Sequence, residues 1–273
     1  MGKIIRGQVI TTTELDLDGE QLSEEEITRL YEGLSDDLPM VVRHDMSTEP
    51  IARSFNRRLE RLPNGDLAIK VDMEIFNEAE FAKFGGMSIG FSRHYYHVGT
   101  GEPLAAITLN TRQFDVNAAA ADVQSALDGR FAVLVVERVE KAAVLTTAII
   151  AIASFIAGQT FSGFFNAVGA ELYALVKKLR RKDEPDQLSE VHFHLHLHES
   201  KPTPVVVLSV DPAATVNDVR EINERPILNA ISTAGGMDNL QRLVGRLHPA
   251  GDVEITYIVD SQGRPIRSTN PKH

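Results

Sequence analysis

The sequence predicts an α+β protein in three parts: mixed strands and helices over residues 1–135, a transmembrane helical segment with a basic flank over 136–182, and a small α+β domain over 190–273. Three observations carry that reading. Runs with a period of two and runs with a period near 3.6 follow one another on both sides of the middle. Residues 142–170, AAVLTTAIIAIASFIAGQTFSGFFNAVGA, contain no charged side chain. Downstream, EVHFHLHLHES alternates strictly between histidine and apolar residues, as one strand would.

Composition sets the limits. A chain of 273 residues with 43% hydrophobic content can build two modest domains, each with its own core. Its net charge of −10, from 28 basic and 38 acidic residues, argues against general affinity for nucleic acid. The lack of cysteine excludes disulfides, thiolate nucleophiles and cysteine-ligated metals. No motif implies a cofactor or a bound metal. MGKIIRGQVITTTELD lacks the apolar core of a signal peptide.

In chain order, KIIRGQVITT reads as a strand. SEEEITRLYEGL follows as a helix, because Ser23 and Glu26 stand at capping-box spacing. PMVVRHD, IARSFNRRLERL and DLAIKVDMEI read as strands, the last two joined by the turn PNGD. NEAEFAKF is a short helix capped by Asn77, and MSIGFSRHYYHV and PLAAITL are strands. VNAAAADVQSALDG is a helix that stops at Gly129.

The uncharged run covers 29 positions, bounded by Lys141 and Glu171 and followed by KKLRRK at 177–182. A hydrocarbon core about 30 Å thick needs only roughly 20 helical residues. A transmembrane helix is therefore the expectation, with a buried alanine-rich core helix as the competing reading. Thr147, Ala151, Ser154, Gly158, Ser162 and Asn166 recur at steps of three and four and would share one stripe of that helix. Small and hydroxyl-bearing residues let helices approach closely in lipid, or line a pore. A homo-oligomer in a lipid bilayer, such as a bacterial inner membrane, follows.

Two motifs in the first part recur in a known family. PMVVRHDMSTEPIARS at 39–54 and GGMSIGFS at 85–92, separated by a strand pair, resemble the prohead (capsid maturation) serine proteases of tailed phages. The resemblance covers roughly residues 35 to 115. It implies a mixed β-barrel-like domain, with Ser88 as nucleophile, His44 as general base and a peptide as substrate. A serine hydroxyl attacks a carbonyl only when a base removes its proton and a third group orients that base. The family's downstream acidic position falls on Ala106 here. Glu102 supplies a carboxylate in a shifted register, and His94 and His97 are the alternatives.

Two further clusters stand out. Arg53, Arg57 and Arg61 would share one face of a strand, either as a solvated face or as a site for an anionic or oligonucleotide ligand. His192, His194, His196 and His198 share a face of the alternating strand, with Phe193, Leu195 and Leu197 on the other. Imidazoles so spaced suit a metal, but one strand offers a flat row, so a solvated edge or sheet surface with pH sensitivity is expected. PVVVLSV reads as a buried strand, TVNDVREINERPILNAIS and MDNLQRLVGRL as helices, the first interrupted by Pro226, and DVEITYIVD as a strand before the turn SQGRP.

Two functions follow from these parts. The first is an oligomeric membrane effector, bilayer-perturbing or channel-forming, gated by the protease-like domain and similar in architecture to membrane effectors of bacterial anti-phage defence. The second is a membrane-tethered serine endopeptidase using Ser88 and His44.

Overall fold

In the computed structural model the described residues are 2–15, 21–34, 37–41, 48–83, 90–110, 114–140, 147–152, 161–179, 190–196 and 204–267. The chain divides into two compact units. The smaller contains residues 1–91, 140–145 and 262–264; the larger contains 92–139, 146–261 and 265–273.

In the smaller unit, β1 (Lys3–Thr12), β2 (Leu38–Met40), β3 (Ala52–Arg61) and β4 (Leu67–Ile75) form an antiparallel sheet in the order β1-β4-β3-β2. Helix α1 (Glu24–Gly33) begins as its sequence requires. The Ser23 side chain accepts from the Glu26 N–H, and the Glu26 carboxylate accepts from the Ser23 N–H at 2.8 Å. Leu22 and Ile27, on either side of that cap, are both buried. The PNGD turn closes β3 onto β4 through Leu62 N–H to the Asp66 carbonyl, and α2 (Glu78–Phe81) is capped by Asn77.

Among the described residues the expected mixed β-barrel is not formed. Closure needs the two edge strands to meet, and here β1 and β2 remain separate edges. The strands read as the rest of the barrel, β5 (Gly90–Val98) and β6 (Pro103–Asn110), bond instead into a second sheet.

That second sheet has nine strands in the order β13-β12-β11-β10-β9-β8-β6-β7-β5. Its remaining members are β7 (Ala132–Glu140), β8 (Thr147–Ile152), β9 (Glu190–His196), β10 (Val205–Val210), β11 (Leu240–Leu247), β12 (Val253–Asp260) and β13 (Pro265–Arg267). Three parallel pairs build it: β6 with β7, β8 with β9, and β10 with β11. A parallel pair needs a crossover, and each of these has a helical one. Helix α3 (Val116–Leu127) follows β6. Helices α4 (Phe161–Phe164) and α5 (Ala170–Val176), joined through a π-helical turn at Phe165–Gly169, follow β8. Helices α6 (Val216–Arg220) and α7 (Arg225–Thr233) follow β10. Antiparallel contacts join β6 to β8, β9 to β10 and β11 to β12. The helices bury their apolar faces with Ile107, Val135, Ile150, Phe193, Leu208 and Leu243 in one core. Phe165 meets Phe193 edge-on at 4.9 Å and fixes the α4–α5 segment to β9.

The transmembrane helix is corrected by this sheet. Residues 147–152 are strand β8, hydrogen-bonded between β6 and β9, and residues 161–176 are helical segments packed on the sheet. Among the described residues no helix is long and apolar enough to cross a membrane. The physical reason is that an interior strand is buried on both faces, so it loses its charges as completely as a lipid-facing helix does. Ala148 and Ile150 are fully buried, as are Phe165 and Leu172 further along the same run.

A second misreading has the same origin. MDNLQRLVGRL predicts a helix because Leu240, Leu243, Val244 and Leu247 recur at helical spacing. It is a short 3-10 turn followed by β11, flanked by β10 and β12, whose two faces are both buried. Gly245 belongs to that packing. A Cβ there would lie 2.8 Å from the Glu254 carbonyl oxygen of the neighbouring strand.

Candidate functional site

Strand β9 is the starting point. Its alternation is read correctly from sequence: Val191, Phe193 and Leu195 enter the helix-covered core, and the histidines occupy the opposite face. The expected solvated edge is corrected. β9 lies between β8 and β10, and His192 is only 2% exposed. The His192 and His194 rings stack with centroids 6.5 Å apart and planes inclined by 21°.

The register brings a cation to this row. His196 lies opposite Val205, and Val205 lies opposite Arg242 on β11. Two strand spacings, about 10 Å, therefore separate His196 from Arg242 along one line of the sheet. Arg242 is 7% exposed, and its Nε and Nη1 are buried with no hydrogen-bond partner. Burial pushes its pKa down, while the hydroxyl of Tyr257 on β12 opposes that shift and shares a side-chain hydrogen bond with it. A buried guanidinium with uncommitted donors is costly, because each donor has given up water without a replacement.

His194 shares this surrounding. Its Nε2 is also buried without a partner. Burial first, and then His192, Arg242, Arg138 and His196, hold its pKa well below the ordinary imidazole value. His196 is lowered by burial too. The groups acting on His194 are all imidazoles or guanidiniums, so the patch is electropositive and His194 is neutral at neutral pH. Among the described residues no three His, Asp or Glu side chains are grouped to hold a metal ion. On this face the sheet thus carries a buried guanidinium and buried imidazoles, the groups whose N–H donors suit an oxyanion.

The other sequence-predicted residues fall as follows. Ser88, His44, Ser154 and Gly158 lie outside the described residues, as does His198. Glu102 is exposed in the turn between β5 and β6. Thr147 opens β8, so the stripe drawn at helical spacing is split between a strand and a helix. Ser162, in α4, donates its N–H to the Glu224 carboxylate at 2.9 Å, and Asn166 is exposed in the π-helical turn. His94, on β5, lies with Nδ1 2.7 Å from Glu137 Oε2 and is 62% exposed. His97 Nε2 lies 3.0 Å from the Gly101 carbonyl.

The three arginines of β3 singled out by spacing, Arg53, Arg57 and Arg61, have internal partners. Arg53 pairs with Glu74 at 2.9 Å and Asp37 at 3.2 Å. Arg61 meets the Glu24 carboxylate of α1 at 2.9 and 3.0 Å. Arg57 lies over the Tyr31 ring and donates to the carbonyls of Tyr31 and Leu34 at the end of the same helix. A bulge at Asn56 and Arg57, with Asn56 at φ 52°, interrupts the alternation on which a common face was read.

Sequence reasoning missed Arg242. The signal available is weak: one arginine inside an apolar run whose spacing is helical. Only the pairing of β11 with β10 and β12 shows that the residue is interior. Compared with protein-family models, curated proteins and solved structures, the chain matches none, and the reading of the site rests on its geometry.

Proposed function

We propose that this protein binds an anionic ligand on the histidine-bearing face of the nine-stranded sheet, with Arg242 as the anchoring cation. The observation that carries the reading is the buried guanidinium whose Nε and Nη1 have no partner. An internal arginine is normally paired, and one that is not offers donors with which a ligand can complete the pairing. The neighbouring imidazoles add donors without adding a competing carboxylate. The anionic partner expected at Arg53, Arg57 and Arg61 is thus sought at Arg242. The test is thermal unfolding and calorimetry with inorganic phosphate, sulfate and nucleoside monophosphates. A bound anion raises the midpoint in proportion to RT ln(1 + [L]/Kd), and Arg242→Met removes that rise. Equal responses of wild type and Arg242→Met would sink the reading.

A second reading, a serine endopeptidase using Ser88 and His44, is supported by the ordered pair of motifs VVRHDMSTEPIA and GGMSIGF. A fluorophosphonate probe labels the wild type and not Ser88→Ala if it holds. Absence of labelling in folded wild-type protein sets it aside.

A further inference from the structure

We propose that the ligand at Arg242 is a compact oxyanion of the phosphate class, and that its binding is coupled to proton uptake by His194. The inference rests on the anion-binding reading above and adds the size of the ligand and its regulation.

Size follows from burial. Arg242 is 7% exposed and His192 2% exposed, so the donors are set below the surface rather than along it. A polyanion such as an oligonucleotide needs an open track of phosphate contacts. An inorganic phosphate, or the terminal phosphoryl group of a small molecule, needs only one concave patch with donors converging on it.

Proton coupling follows from the set of groups that act on His194. On its own strand these are His192 and His196; from β11 and β7 come Arg242 and Arg138. Tyr257 on β12 adds a hydroxyl that is already bonded to Arg242. Every one of these is cationic or neutral, and together with burial, the larger cause, they keep His194 in its neutral form. A neutral imidazole has one donor and one acceptor, while imidazolium has two donors. An oxyanion within hydrogen-bond reach reverses the local field and favours the charged imidazole. The buried Nε2, which has no partner in the protein, becomes a donor to the bound anion, or stays one while Nδ1 takes up the proton. By linkage, any anion that raises this pKa binds more tightly as pH falls.

Sulfate is the probe of choice, because it does not itself titrate between pH 5 and 8. Calorimetric titration of the intact protein is run in two buffers of different ionisation enthalpy. The expected result is an apparent enthalpy that differs between buffers in proportion to about one proton taken up, and an affinity that falls by up to about tenfold per pH unit as pH rises. His194→Gln keeps weaker binding but loses the pH dependence; the wild-type buffer comparison stands even if that variant misfolds. Parallel titrations with inorganic phosphate, adenosine monophosphate and a short oligonucleotide separate the sources, and tighter binding of the oligonucleotide than of phosphate overturns the compact-ligand claim. Binding of sulfate with identical enthalpies in both buffers and a flat pH profile overturns the coupling and leaves the anion reading standing. No binding of any oxyanion by wild type overturns both.

Discussion

Among the described residues each sheet contains one buried charge in mid-strand, and the two are treated oppositely. In the smaller unit the charge is Asp72 on β4, 4% exposed. Its carboxylate accepts from Arg58 at 2.9 Å, from Asn56 Nδ2 at 2.8 Å and from the Gly7 N–H at 2.9 Å. Both neighbouring strands bulge to reach it. β3 does so at Asn56 and Arg57, and β1 near Gly7, whose φ of 66° suits glycine. Those bonds, Arg58 first, hold the Asp72 pKa well below the carboxylate range. In the larger unit the charge is Arg242, with two guanidinium nitrogens left without a partner. The first charge is satisfied by two side chains and one backbone amide that surround it and is a structural element. The second is left open, and an open buried charge is what a receptor for the opposite charge requires.

The comparison can be broken most directly at Asp72. Asp72→Ala leaves Arg58, Asn56 and the Gly7 amide facing an empty position, and destabilises by about 3 kcal/mol in urea unfolding. Its pH dependence has a definite sign. Because the folded-state pKa is depressed, the Asp72 contribution is complete above the unfolded value of about 3.9 and is lost as pH falls below it. The gap between wild type and Asp72→Ala therefore narrows in acid, and a gap that stays constant down to pH 2 would show that the carboxylate is not charged in the native state.

Arg242→Met has the opposite expected sign. Replacing a partly unpaired buried cation with an apolar side chain of similar length raises stability by about 1–2 kcal/mol without ligand and abolishes anion binding. Loss of stability in this variant would place Arg242 with Asp72, as a structural charge. Gly7→Ala sharpens the first half of the comparison: forcing a side chain into the left-handed region beside Asp72 costs about 1 kcal/mol. The smallest effect is at Arg61 and Glu24, an exposed pair with 55% and 59% of the side chains accessible. Arg61→Ala leaves the urea midpoint unchanged within error, since solvent screens such pairs.

What was legible in the sequence was local. The cap of α1, the PNGD turn, the stop of α3 near Gly129 and the break ahead of Pro226 are made by groups a few residues apart, and each appears where it was read. The alternation of β9 was equally legible, because Phe193 and Leu195 face a core while the histidines do not. By itself, then, the sequence determined turns, caps and the two faces of single strands. Only the tertiary structure decided which strands are interior. Burial on both faces removes the polar half of the alternation, so β8 read as a membrane helix and β11 as an amphipathic one. The same step decided the candidate site. His194 and Arg242 are 48 positions apart in the chain, and they act on one another because β10 pairs with both β9 and β11. Strand pairing depends on partners distant in sequence, and no local pattern encodes it.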